Sequence, residues 1–253
     1  MLPSVVPQRI LGVIPARFAS TRFPGKALVS IAGKSMLQHV WERASMARYL
    51  TKLVIATDDQ RIAQAARAFG AEVRMTLETH LSGTDRVAEV ASSDSATIVV
   101  NIQGDEPLID PGAIDTAVLA LDGEEATQMA TLKRRISDSA EIANPNVVKV
   151  VTTANGDAIY FSRSAIPYDR GDQAAYYKHI GLYVYRRDFL LGYSGLPVGP
   201  LEQAEKLEQL RALENGHRIR VAETDYESFG VDTPADLERL RAIFEASLAR
   251  VIT

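Results

Sequence analysis

The sequence predicts an α/β protein built on a mainly parallel sheet. Short apolar runs alternate with stretches of helical periodicity, the pattern of strands covered by helices. The run at 98–102 also leads straight into a turn carrying adjacent carboxylates, and loops leaving the carboxyl ends of such strands are where ligands sit.

Residues 10–14 (ILGVI) and 52–56 (KLVIA) read as buried strands. Between them Met36, Leu37, Val40, Trp41 and Ala44 recur at helical spacing. Asp58 is read as the N-cap of a helix that ends near Gly70, with Ile62, Ala65, Ala66 and Phe69 on one face. Residues 72–75 give a shorter strand, 84–91 another helix, and 98–102 (IVVNI) a third strong strand running into Gly104-Asp105-Glu106-Pro107. Beyond Leu121 the strand-like runs at 147–152, 158–161 and 181–185 lie closer together with fewer helices between them. That predicts mixed or antiparallel strands in a lobe, about residues 130–195, inserted into a parallel core. Helical periodicity returns at 201–213 and 236–248, separated by a short strand at 219–222. No repeat or linker interrupts residues 1–253, so one domain is expected.

Composition narrows the chemistry. With 253 residues the chain can bury a sizeable core. It has no cysteine, which excludes disulfides, thiolate metal sites and cysteine nucleophiles. A net charge of −4 carries no basic excess for nucleic acid. No apolar run approaches the roughly 20 residues that span a bilayer, and residues 1–9 do not read as a signal peptide. The expectation is a cytoplasmic protein with neither nucleic-acid nor membrane partners.

The loop after the first strand, residues 15–26, gathers Arg17, Arg22 and Lys26 with two hydroxyls and many backbone N–H groups. Such cations repel one another unless an anion joins them, and a triphosphate is a suitable anion; the bland alternative is a solvated basic loop. Gly33-Lys34-Ser35 is not a P-loop tail, because Leu28 stands where that motif needs glycine. A dinucleotide fingerprint is missing too. Asp105, beyond the 98–102 strand, and Asp232, in a turn entering a helix, are candidates for Mg²⁺, which binds through one or two carboxylates plus substrate phosphates. Either could instead organise its turn, and Asp232 could be an N-cap.

Together the segments IPARFASTRFPGK (14–26), ATDD (56–59), SGTDR (82–86), NIQGDEP (101–107), NPNVVKVV (144–151), YFSRSAIPYDR (160–170), KHIGLYVYR (178–186), LEQLRALENG (207–216) and GVDTPADLERLR (230–241) resemble the 3-deoxy-manno-octulosonate (Kdo) cytidylyltransferases. The phosphate-loop and GDEP motifs are shared more widely among CMP-sugar synthetases, while the segments from 160 to 216 mark the octulosonate branch. The resemblance implies a Rossmann-like nucleotidyltransferase fold with helices on both sheet faces, a homodimer formed through the inserted lobe, and transfer of CMP from CTP to Kdo for lipopolysaccharide synthesis.

By motif position it places Arg17, Arg22 and Lys26 on the CTP phosphates and Asp105 and Asp232 on magnesium. It places Pro15, Ala16, Thr57, Asp58, Ser82, Gly83 and Thr84 around cytidine. It assigns Gln103, Arg163, His179, Tyr183, Glu208 and Gln209 to the sugar. An acidic sugar needs a cation and convergent hydrogen-bonding groups; Arg163 and His179 can act as donors, and Tyr183, Glu208 and Gln209 can read hydroxyls. By residue type alone, His179 on a strand is as readily a structural histidine. The segment between Arg170 and Lys178 is shorter than in many relatives. Rivals are the 8-amino analogue of Kdo, sialate, and a nucleotide sensor without catalysis.

Overall fold

The computed structural model describes residues 9–19, 23–121, 126–171 and 173–252, with side chains through 246. In chain order it contains β1 (Ile10–Ala16), β2 (Ser30–Ile31), β3 (Lys34–Ser35), α1 (Met36–Ala44), β4 (Lys52–Thr57), α2 (Gln60–Ala68), β5 (Glu72–Met75), α3 (Gly83–Ser92), β6 (Ile98–Asn101) and α4 (Pro111–Leu121). There follow β7 (Met129–Arg135), α5 (Ser139–Ala143), β8 (Lys149–Thr152), β9 (Ala158–Ser162), β10 (Tyr177–Arg186), α6 (Arg187–Tyr193), α7 (Pro200–Glu205), α8 (Leu210–Glu214), β11 (Ile219–Glu223) and α9 (Pro234–Ile252). The α/β class read from the sequence holds. Two compact units share the chain: Met1–Ala96 with Asn101–Pro111 and Ser228–Thr253, and Thr97–Val100 with Gly112–Glu227.

The first unit is the parallel one. Strand β1 runs parallel to β4, with Val13 opposite Val54, and β4 parallel to β5, with Thr57 opposite Met75. Leu11, Val13, Ile14 and Ile55 are fully buried, as expected where helices cover a parallel sheet and its strands read as continuous apolar runs. Helix α1 starts at Ser35, whose side chain accepts from the Gln38 N–H, and buries Met36, Leu37 and Val40. Trp41 lies on the flank against Phe69, rings 5.4 Å apart. The start of α2 corrects the sequence reading: Asp59, not Asp58, is the N-cap, accepting from the Arg61 N–H. Its buried face carries Ala63 in place of Ala65. Helix α9 closes the unit by packing Leu237 and Leu240 on Ile31, Met36 and Val231.

The second unit is mixed. Strand β7 pairs antiparallel with β10 and parallel with β11, while β8 pairs antiparallel with both β10 and β9. Strand β10 begins at Tyr177, four residues before the expected 181–185 run. The run was hidden because Lys178, on the buried face, is a cation paired with Glu141 at 2.8 Å. The expected helical stretch at 201–213 is two short helices, α7 and α8, divided at Lys206, which takes a left-handed φ of 54°. Helix α4 and strand β7 were missed by the sequence reading.

Candidate functional site

In the first unit the carboxyl ends of β1 and β6 open on a cavity of ≈ 290 Å³. Its walls are built by close backbone approach. A Cβ at Gly104 would fall 2.8 Å from the Pro15 carbonyl oxygen, so only glycine lets the loop after β6 lie against the end of β1. Gly83 and Ser82 form another wall at the start of α3. There Ser82 and Asp85 make reciprocal bonds, Ser82 Oγ accepting from the Asp85 N–H and Asp85 accepting from the Ser82 N–H, both at 3.1 Å.

The phosphate-type loop delivers Lys26 to this cavity. Gly25, with φ 72°, turns the chain and donates its N–H to the Phe18 carbonyl at 2.9 Å. Lys26 Nζ then donates to Asp105 Oδ2 at 2.7 Å, Asp232 Oδ1 at 3.0 Å and the Val231 carbonyl at 3.0 Å. Burial works against the ammonium, but the two carboxylates outweigh it and hold its pKa above the ordinary lysine value. The two acidic turns are tied together because Val231 N–H donates to the Asp105 carbonyl at 2.9 Å. Thr233, rather than Asp232, caps α9: its hydroxyl accepts from the Asp236 N–H, and the Asp236 carboxylate accepts from the Thr233 N–H. The Asp232 carboxylate instead faces Lys26.

Two carboxylate oxygens and a carbonyl oxygen therefore converge on the Lys26 ammonium. Asp105 and Asp232 are also the oxygen donors taken by Mg²⁺, which needs only one or two carboxylates when phosphates supply its other ligands. Among the described residues no group of three or more His, Asp or Glu side chains is placed to hold a metal, so a protein-only metal cage is absent from that set.

Pro15, Ala16, Arg17, Lys26, Ser82, Gly83, Gln103, Asp105 and Asp232 from the sequence-based set line this one cavity. Thr57 and Thr84 are buried and do not line it. Asp58 stands behind it, paired at 2.6 Å with Arg86, a lining residue whose side chain is almost wholly buried. Arg22 lies outside the described residues. The sequence reading missed Arg86, although it closes the quoted SGTDR segment, and it missed His80, which lines the cavity and pairs with Glu89.

The remaining sugar-assigned residues belong to the second unit. Thr131 has one hydroxyl proton and two carbonyls within reach, Ile180 at 3.0 Å and Leu182 at 2.9 Å. Its lone pairs are thus left to accept the Nε2–H of His179 at 2.9 Å. Burial pushes the His179 pKa down to about 3, so the ring is neutral and its uncommitted Nδ1 is an acceptor, not the donor expected from residue type. Tyr183 donates to Gln209 Oε1 at 3.2 Å, and burial, reinforced by the Glu208 charge, raises its pKa. Gln209 Nε2 is buried and has no partner among the described residues. Arg163 makes no hydrogen bond to this trio; its guanidinium bonds the carbonyls of Glu205 and Pro145.

Residues 11–219 match the family model described as Cytidylyltransferase. The 3-deoxy-manno-octulosonate cytidylyltransferase of Solibacter usitatus is 68% identical over 245 residues, covering 96% of this chain and 97% of that protein. The protein of the same name from Geobacter sulfurreducens is 57% identical over 243 residues, covering 91% and 97%. A solved structure described as CMP:2-keto-3-deoxy-manno-octonic acid synthetase complexed with CTP superposes with a TM-score of 0.91 at 47% identity, covering 95% of this chain and 100% of that one. With that identity and coverage, the chain belongs to the 3-deoxy-manno-octulosonate cytidylyltransferase family.

Proposed function

We propose that the protein transfers CMP from CTP to 3-deoxy-D-manno-octulosonate, releasing pyrophosphate. The observation that carries this reading is the meeting of Lys26 with Asp105 and Asp232 at the cavity where β1 and β6 end; the family supplies the base and the sugar. The anomeric hydroxyl attacks the α-phosphorus in line as the bond to pyrophosphate breaks. Arg17, Arg22 and Lys26 offset charge on the triphosphate, a positioning and electrostatic task that accounts for most catalysis of this kind. The backbone around Pro15 and Ala16 and the turn at Ser82 and Gly83 suit nucleotide binding, with Thr57, Asp58 and Thr84 supporting that pocket.

Asp105 and Asp232 would hold Mg²⁺, which when bound supplies Lewis acidity toward the phosphate and the attacking hydroxyl. Arg163, His179, Tyr183, Glu208 and Gln209 are assigned to the sugar acid, and Gln103 is assigned with them. The orphaned Gln209 Nε2 supports this, since a buried donor without a partner is costly and a substrate hydroxyl would satisfy it. The same reading makes the protein a cytoplasmic homodimer that serves lipopolysaccharide synthesis. Among the described residues no helix is long and apolar enough to cross a membrane.

A pyrophosphate-release screen over the four nucleoside triphosphates and several sugar acids tests base and acceptor together. Release is expected with CTP and the octulosonate in the presence of Mg²⁺. Preference for the 8-amino analogue or for sialate would reassign the acceptor, and CTP binding without release would leave a sensor.

A further inference from the structure

The second unit holds an ammonium for which the reaction above has no direct use. Lys149 on β8 is fully buried. Its Nζ donates to the carbonyls of Asn144 at 2.9 Å, Val147 at 2.5 Å and Arg163 at 2.6 Å. Those acceptors match its three protons, yet burial still pushes its pKa below the ordinary lysine value. A cation placed there carries a desolvation cost that an aliphatic side chain would avoid, so the question is what its acceptors do.

Two of them bracket a turn. Asn144 and Val147 are joined by the Val147 N–H donating to the Asn144 carbonyl at 3.1 Å. Inside that turn the Pro145 carbonyl accepts from Arg163 Nη1 at 2.9 Å. The third acceptor is the carbonyl of Arg163 itself. Lys149 therefore fixes both the main chain of Arg163 and the carbonyl that orients its guanidinium.

Glu205 grips the same arginine from the other side. Its carboxylate accepts from the Arg163 N–H at 2.8 Å and from Ser162 Oγ at 2.5 Å, and its carbonyl accepts from Arg163 Nε at 2.7 Å. That carbonyl is exposed to capture because α7 ends at Glu205, where Lys206 turns left-handed. The Arg163 N–H, C=O, Nε and Nη1 are thus all committed, and the second terminal nitrogen, Nη2, bonds to no described residue.

We propose that Lys149 and Glu205 are positioning residues that hold the Arg163 guanidinium ready, so that Nη2 receives the carboxylate of the acidic sugar. The proposal rests on the assignment of Arg163 to the sugar acid made above. A freely rotating arginine surrenders its rotamer freedom on binding, whereas one already held at several points surrenders little. The benefit is then confined to the carboxylate and does not extend to the nucleotide.

The test compares Kdo with its C1 amide as ligands for full-length wild type, Arg163→Gln, Lys149→Met and Glu205→Gln, with the KM for CTP measured alongside. Wild type is expected to favour the acid by about tenfold or more, the scale of a charge-assisted hydrogen bond, and Arg163→Gln to lose that preference. Lys149→Met and Glu205→Gln should lose most of it as well, with the CTP KM unchanged within about twofold. An acid preference absent from wild type, or retained by Arg163→Gln, overturns the assignment of Arg163. A preference lost by Arg163→Gln but fully retained by Lys149→Met and Glu205→Gln overturns the positioning role alone. Should Lys149→Met fail to fold, Glu205→Gln, which alters the carboxylate that anchors the Arg163 N–H and Ser162 Oγ, decides by the same ratio.

Discussion

At the scale of single residues, charge placement decides what the site can do. Lys26 answers two carboxylates at once, so removing its ammonium deletes the cation that joins Asp105 to Asp232. Lys26→Ala is expected to lower kcat/KM by about a hundredfold, the magnitude of a lost preorganised cation, in a continuous pyrophosphate assay. His179 gives a pH signature of the opposite kind. Its folded pKa is about 3, below the unfolded value, so between those values the unfolded chain binds the extra proton. Stability therefore falls as pH drops from about 6.5 toward 3, by up to about 1.4 kcal/mol per pH unit from this ring. Urea unfolding at pH 7 and pH 5 should show that slope in wild type and a shallower one in His179→Gln. Residue type and loop position singled out Lys26 and Asp105 in the sequence, while Asp232 needed the family resemblance to stand apart from an ordinary turn residue. Residue type could not show that His179 Nε2 is consumed by Thr131 or that Asp58 pairs with Arg86, because both facts depend on partners distant along the chain.

At the scale of elements, the sequence was clearest where one physical signal dominated. Strands β1 and β4 carry continuous apolar runs, and helical periodicity located α1, α2 and α9, with cap residues helping to bound α2. Helix α4 was equally legible and passed over: Pro111 stands at its first position, and Ala113, Ile114, Ala117, Val118 and Leu121 are its buried face. The first residues of strand β10 and the break between α7 and α8 were not legible, since a buried lysine and a left-handed lysine imitate surface positions. Capping carries its own prediction. Ser82→Ala removes one half of the reciprocal bond at the start of α3 and should cost about 1 kcal/mol, read as a lower unfolding midpoint. The same turn walls the cavity, so a higher KM for CTP should accompany it.

At the scale of the whole molecule, ligand and ion should act together. CTP with Mg²⁺ at about a hundred times its Kd should stabilise the folded protein by about 2.7 kcal/mol. Asp105→Asn should lose most of that gain in a thermal-shift measurement while keeping its unliganded midpoint. Sedimentation velocity should give the mass of two chains if the homodimer proposal is right. Gly104 adds a consequence for reading variation at this site. Asp105 answers for its charge, but its neighbour answers only for the space beside a carbonyl oxygen 2.8 Å from where a Cβ would stand. A saturation library would separate them: position 104 should reject even alanine in both folding and activity screens, whereas position 105 should tolerate asparagine in the first and fail only in the second. Two adjacent letters, equally restricted in an active population, would then record different pressures, one steric and one electrostatic.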